Sequence, residues 1–356
     1  MEIVVRVPSD TPYGARLFLA GSGPLGDWHP AAVPLTACDD GSHRAWLDVP
    51  SHFRAHFLVT QGRWRAAETD PRGHEHPPRE LHAAPHVEVH VGGWGRTSVR
   101  YHPDFHSRFV PRSRTVCVWL PPGYDAHPHR RYPVLYMHDG QNLFDPHTAF
   151  AGNPWWADEH TECAVRAGRT PPVILVGIAN TEDRLHEYGP RRCGPAQTHD
   201  LSRAYGRFVV EEVKPFIDTE YRTRPERVHT GVGGSSMGGL ISLHLAKWYP
   251  GVFGKCMAMS ASLWWDREFF LRTLDTSTLW QKSCAVWADA GDREGRTPAG
   301  CAATARRVRW LAQLLRKRGA RVGHLEVPGG THSEGAWGER LPRALAWLYE
   351  RDVPVW

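Results

Sequence analysis

Beyond about residue 94 the chain adopts a rhythm that few architectures accommodate: short apolar runs, each followed by a loop and then a helical stretch. The runs are YPVLYMHDG, PPVILVGIAN, RVHTGVGG, KCMAMS, CAVWADAG and RVGHLEVPGG. Several are apolar without alternation, as strands are when both faces of a parallel sheet are covered. Between them, residues about 200 to 217 align Tyr205, Phe208, Val209, Val213 and Phe216 on one helical face, and about 302 to 318 align Val308, Leu311, Leu314 and Leu315. Strands alternating with amphipathic helices specify an α/β layer structure, a mostly parallel sheet with helices on both faces. Reactive groups in such sheets collect beyond the carboxyl ends of the strands.

Residues 1–93 follow a different period. ARLFLAG, RAWLDVP, AHFLVTQG and HVEVHVGG alternate with period two and are separated by Gly, Pro and Asp, which predicts a small antiparallel β-sandwich. GGWGRTSVRYHPDFHS reads as a connector, so the expected domains are 1–93 and 94–356. A chain of 356 residues has ample material for two cores. No stretch approaches the roughly 20 apolar residues that span a bilayer, and the start MEIVVRVPSDTPYG lacks the pattern of a secretory signal. Seven scattered cysteines, at 38, 117, 163, 193, 256, 284 and 301, lack C-x-x-C spacing and are expected as reduced thiols in a cytoplasmic protein. A net charge of +5, with no basic and aromatic cluster, argues against nucleic acid as a partner. The histidine-dense GHEHPPRELHAAPHVEVHV lacks metal-ligand spacing; neither a metal nor a cofactor is expected.

The chemistry concentrates in GVGGSSMGGL, residues 231–240. A nucleophile elbow needs small residues two positions before and after the reactive serine. Ser236, between Gly234 and Gly238, meets this; Ser235 would face Met237 and is assigned to packing. A strand precedes Ser236 and a helix follows it, so the helix N-terminus brings partial positive charge and the Met237 N–H towards an oxyanion. The partners of such a serine follow in the order acid, then histidine. His332, in PGGTHSEGAWGERL after the last strand, has the position of the base. WADAGDREG supplies the acid: Asp289 is expected within the strand, leaving Asp292 or Glu294, either of which could instead be a turn carboxylate paired with Arg293 or Arg296. The loop LYMHDGQNLFD supplies the second oxyanion donor, where Gly140 permits close backbone approach and the Gln141 N–H is favoured over the side chains of Gln141 and Asn142. Asp139 is expected to be structural.

Taken together, VWLPPGYD, YPVLYMHDGQNLFD, VGIANTEDRLHEYGP, FIDTEYRT, GSSMGGLISL, MSASLWW, GDREG and GGTHSEGAWGERLPRAL resemble one family from about residue 95 to the end. It is the esterase family of α/β hydrolases that includes enterochelin and related siderophore esterases, feruloyl esterases and mycolyltransferases. The resemblance implies an α/β-hydrolase fold, favours Glu294 over Asp292, although Asp292 stands where a threonine is common, and implies oxyanion donors from Met237 and Gln141. The amino-terminal part resembles a starch-binding-type carbohydrate-binding module in LAGSGPLGDWHPAAVPLT, RAWLDVP and FLVTQGRWRAAETDPRG. That resemblance implies sugar stacking on Trp28 and Trp64 and a polysaccharide as partner. HPPREL replaces the usual Asn-Arg ending.

The reaction expected is acyl transfer through Ser236, His332 and Glu294 to water. Trp155, Trp156, Trp264, Trp265 and the DRLHEY loop with Arg184 are expected to wall the pocket, which suits a bulky, aromatic or carbohydrate-linked ester. Three other readings use the same residues: a siderophore trilactone esterase, an acyltransferase of the same fold, and a glycan-binding protein whose hydrolase domain is a scaffold.

Overall fold

A computed structural model describes residues 1–12, 14–72, 74–95, 99–190, 200–276 and 284–350. Cys193 and the chain end 351–356 lie outside the described residues. Two compact units are present: one comprises Met1–Ser98, Pro121–Pro128 and Glu159–Arg169, the other Val99–Leu120, His129–Asp158 and Thr170–Trp356.

The larger unit is built on one eight-stranded sheet: β1 Val99–Phe105, β2 Arg114–Trp119, β3 Val134–His138, β4 Ile174–Ile178, β5 Thr230–Ser235, β6 Lys255–Met259, β7 Ala285–Arg293 and β8 Arg321–Thr331. Their order is β1-β2-β4-β3-β5-β6-β7-β8. The first three neighbours pair antiparallel and every pair from β4 to β8 is parallel. All residues of β3, β4, β5 and β6 are buried, which is why their sequences run apolar without alternation. β3 connects to β4 on one side and lies beside β5 on the other. Loops leaving the ends of β3 and β5 therefore diverge and open a crevice between them.

The α-helices among the described residues are α1 Ala157–Arg166, α2 Arg184–Tyr188, α3 Ser202–Arg207, α4 Lys214–Glu220, α5 Met237–Trp248, α6 Trp265–Thr276, α7 Pro298–Lys317 and α8 Glu334–Tyr349. α5 buries Met237 through Ala246 without a break, so it is a core helix; α7 instead buries one stripe, Val308, Leu311, Leu314 and Leu315, as the periodicity predicts. Two expectations change. The stretch taken as a connector forms strand β1, an edge strand, and Pro103 interrupts its pattern at an irregularity between His102 and Phe105. An edge tolerates a residue without an N–H. Between α3 and α4, Phe208–Val213 is a π-helical turn, and Ile217 rather than Phe216 is the fully buried residue after it. The wider turn adds a residue, so the stripe slips by one.

The smaller unit holds two four-stranded sheets and a two-stranded one. Ile3, Val5, Ala45 and Val89 of one four-stranded sheet share a cluster with Leu19, Phe57, Val59 and Leu81 of the other. The pairing is not wholly antiparallel, because Glu2–Arg6 runs parallel to His86–His90. Among the described residues no helix is long and apolar enough to cross a membrane.

Candidate active site

Ser236 sits between β5 and α5 with φ 54° and ψ −120°, a backbone conformation that non-glycine residues adopt only where the surroundings impose it. A Cβ on Gly234 would lie 3.0 Å from the Gly238 carbonyl carbon, and one on Gly238 would lie 3.2 Å from His138 Cβ. Strand and helix therefore cross in contact, which is the physical content of the G-x-S-x-G spacing. The Ser236 N–H donates to Met259 O at 3.0 Å, its carbonyl accepts from Ser262 N at 2.9 Å, and its Oγ lies 3.2 Å from Ser262 Oγ. Ser235 is buried at the end of β5.

His332 follows β8 and brings Nε2 to 3.0 Å from Ser236 Oγ. Its Nδ1 lies 3.2 Å from Glu294 Oε2. Glu294 stands just past β7 with 1% of its side chain exposed, while His332 is 39% exposed; the acid is dry and the base faces the crevice. The other Glu294 oxygen accepts from Gly291 N at 2.6 Å and lies 2.5 Å from Ser260 Oγ. Asp292 is exposed and accepts from Gly329 N at 2.7 Å, tying the two strand ends together. Asp289 is inside β7 and fully buried; it accepts from Trp287 Nε1 at 2.8 Å and pairs with Arg340 at 3.1 Å. Burial pushes its carboxyl up to about 6.

The loop after β3 borders the same crevice. Asp139 takes left-handed backbone, and Gly140 is pressed on β4, where a Cβ would lie 2.4 Å from the Gly177 carbonyl carbon. Gln141 Oε1 accepts from Asn180 N at 3.0 Å. Met237 and Gln141 each stand in the first turn of a helical segment, where an N–H has no acceptor within the helix. Arg184 donates to both oxygens of Asp139, at 2.7 and 2.8 Å, and Tyr188 OH lies 3.3 Å from the Asp139 N–H. Arg184 thus braces the loop. Burial works against its charge, but the bonds to Asp139 prevail and hold its pKa above the ordinary value. α2 is itself anchored by Glu187, whose carboxylate receives Arg114 at 2.6 and 2.8 Å with neither side chain exposed.

The tryptophans separate by exposure. Trp264, after β6, is 55% exposed, and Trp265 meets it edge-on at 5.8 Å and donates its Nε1–H to Pro190 O. Trp156 is half-buried. Trp155, expected on the pocket wall, is in the core, 2% exposed and 5.7 Å from the Trp337 ring. Trp28 and Trp64, expected as stacking platforms, are 6% and 2% exposed. The Arg166 guanidinium lies 5.9 and 4.8 Å from their rings and is paired with Glu75 and Glu162, so neither indole stands out from the surface as a platform for a sugar.

Sequence reasoning missed Ser260, Ser262, Glu334 and Arg340. Ser260 and Ser262 belong to SAS directly after β6, the strand beside the elbow strand, and that adjacency was a usable signal. Glu334, two residues beyond His332, bonds Asn142 Nδ2 at 3.4 Å and joins the two loops; burial raises its pKa.

Residues 107–348 match the family described as "Putative esterase". The chain belongs to that family. This esterase is 27% identical over 254 residues to the uncharacterized protein YbbA of Bacillus subtilis, covering 67% of the chain and 94% of YbbA. To the ferri-bacillibactin esterase BesA of Bacillus subtilis it is 24% identical, covering 62% of the chain and 80% of BesA. The crystal structure of the enterobactin esterase FES from Shigella flexneri superposes with TM-score 0.56 at 16% identity, covering 98% of this chain and 93% of that one, a likeness of fold. The protein is an ester hydrolase on an α/β-hydrolase sheet.

Proposed function

We propose that this esterase is a serine carboxylic-ester hydrolase that works through an acyl-enzyme on Ser236. The observation that carries the reading is one imidazole bonded on both sides, 3.0 Å from a serine held in strained backbone and 3.2 Å from a buried carboxylate. In the first half-reaction Ser236 Oγ attacks the ester carbonyl carbon as His332 Nε2 takes the hydroxyl proton. The imidazolium is stabilised by Glu294. The N–H groups of Met237 and Gln141 receive the oxyanion, and on collapse the alcohol leaves with the proton from His332. Water repeats the sequence on the acyl-enzyme and releases the acid.

The substrate class proposed is an ester of a bulky aromatic acid, including the catecholate lactones of siderophores. Two features support it: the exposed aromatic rings of Trp264 and Phe150 on loops leaving β6 and β3, and relatives named as a ferri-bacillibactin esterase and an iron(III) enterobactin esterase. The test compares p-nitrophenyl butyrate, methyl ferulate and enterobactin with the parent protein and Ser236→Ala. Ser236→Ala is expected to lower turnover by about five to six orders of magnitude, and a fluorophosphonate should add one adduct on Ser236 by mass spectrometry. Turnover retained by Ser236→Ala overturns the reading; preference for the simple aliphatic ester overturns the substrate class alone.

A further inference from the structure

A charged residue stands within the apolar face of α8. Trp337, Leu341, Ala344, Leu345 and Leu348 are buried there, and Arg340 lies among them with 7% of its side chain exposed. Its guanidinium donates to Ser260 Oγ at 2.9 Å and lies 3.1 Å from Asp289 and 3.7 Å from Glu294. Ser260 Oγ also receives Trp337 Nε1 at 2.9 Å. Arginine and tryptophan side chains only donate. Both lone pairs of the hydroxyl are therefore occupied, and its one proton goes to Glu294 Oε1 at 2.5 Å. With Gly291 N on the same oxygen, Oε2 is the oxygen left for His332. Ser260 is itself held at φ 46°, a strained backbone that its surroundings must impose.

We propose that Arg340 is a positioning residue for ester hydrolysis: through Ser260 it fixes which oxygen of Glu294 meets His332, and it supplies the cation that offsets two buried carboxylates. The proposal rests on the Ser236–His332–Glu294 reading. The charged and titratable groups facing Glu294 are Asp289 from β7, Arg340 from α8 and His332 from the loop after β8. Without Arg340, Asp289 and Glu294 are two buried carboxylates with no guanidinium between them, and Asp289, already raised by burial, loses the cation that holds its pKa down. A site with that uncompensated negative charge takes up a proton more readily, and the extra proton disables the triad. The acidic limb of the rate profile is therefore displaced upward.

The experiment measures kcat and KM from about pH 5.5 to 9.5 for the parent, Arg340→Met, Arg340→Lys and Ser260→Ala, with fluorophosphonate labelling of each. Arg340→Met should lower kcat with KM nearly unchanged and move the acidic limb up by about one pH unit, an extra tenfold loss at the acid end. Arg340→Lys should return the limb towards the parent, and Ser260→Ala, which cuts the relay but keeps the cation, should lower kcat with little movement of the limb. A loss in Arg340→Met that is equal at every pH, or a loss confined to KM, overturns the proposal. Should Arg340→Met fail to fold, Arg340→Lys and Ser260→Ala decide: parental kcat in Ser260→Ala overturns it. Absence of a Ser236 adduct in the parent protein overturns the triad reading and this proposal together; a normally labelled parent isolates the failure to Arg340.

Discussion

Glu294→Gln changes one atom of the site and leaves its volume intact, and the structure dictates how the new amide must sit. Glu294 Oε1 faces two donors, Gly291 N–H at 2.6 Å and the Ser260 hydroxyl at 2.5 Å, whose proton has no other acceptor. An NH2 group there would oppose both. The glutamine oxygen therefore takes that place, and the NH2 points at His332 Nδ1 from where the carboxylate oxygen stood at 3.2 Å. A donor facing Nδ1 selects the imidazole tautomer that carries its proton on Nε2, and that tautomer cannot accept the proton of Ser236 Oγ. The same tautomer trap in serine hydrolases costs about 10⁴ in kcat, equivalent to about 5.5 kcal/mol at 1.36 kcal/mol per decade. We expect a loss of that order with a p-nitrophenyl ester at saturating substrate, an unaltered circular dichroism spectrum and an unaltered melting temperature. Asp292→Asn is the matched control. It keeps an acceptor oxygen for Gly329 N on an exposed carboxylate, and surface changes of this kind stay within about 0.5 kcal/mol. A Glu294→Gln enzyme within about tenfold of the parent, a loss of less than about 1.4 kcal/mol, would refute the reasoning. A thousandfold loss in Asp292→Asn would move the acid to that residue.

Arg114→Met should cost about 3–5 kcal/mol of unfolding free energy in urea, because it strands Glu187 with no exposed surface to hydrate it, and Arg114→Met/Glu187→Met should recover most of that loss; equal losses in the single and double variants would contradict this. Trp264→Ala should raise KM for aromatic esters with the unfolding midpoint unchanged, whereas Trp155→Ala should cost about 3–5 kcal/mol of stability; the reverse pattern would exchange their roles. Burial lowers His244 to about 3 and His138 likewise, so above about pH 6.5 both states are neutral, and below it only the unfolded chain gains the proton. Each histidine should therefore remove about 2 kcal/mol of stability between about pH 8 and 5, and His244→Phe should halve that pair's share; urea midpoints of identical pH dependence in parent and variant would refute it.

What could be read from the letters was whatever depended on local spacing. Glycines two residues either side of Ser236, a strand before it and a helix after it are consequences of one sharp bend, and a bend is encoded by its own neighbours. His332 and the pair Asp292 or Glu294 follow from the sheet, since a residue just past a strand is delivered to the same edge wherever it lies in the chain; the choice of Glu294 within that pair came from the family resemblance and not from spacing. Strand β1 escaped because its Pro103 breaks the alternation at a place where the edge of a sheet forgives it, and the helix stripe slipped at Phe216 because a π-helical turn leaves no mark in a period counted at 3.6.

Trp155, Trp28 and Trp64 are buried against expectation for a different reason: an indole is equally suited to a sugar, a pocket wall and a core. Trp155 closes on Trp337, and Trp28 and Trp64 lie against a paired guanidinium; these partners are distant in sequence and no period announces them. Arg340 shows the complementary case. Its position, three after Trp337 and four before Ala344, sets a cation on a face otherwise made of Trp, Leu and Ala, and a face of that kind excludes charge unless the charge has partners. A lone basic residue on an apolar helical stripe therefore calls for buried acids opposite it. In this chain the candidates are Asp289 and Glu294, so Arg340, the first arginine of GERLPRAL, points to the buried acids of WADAGDREG and away from exposed Asp292.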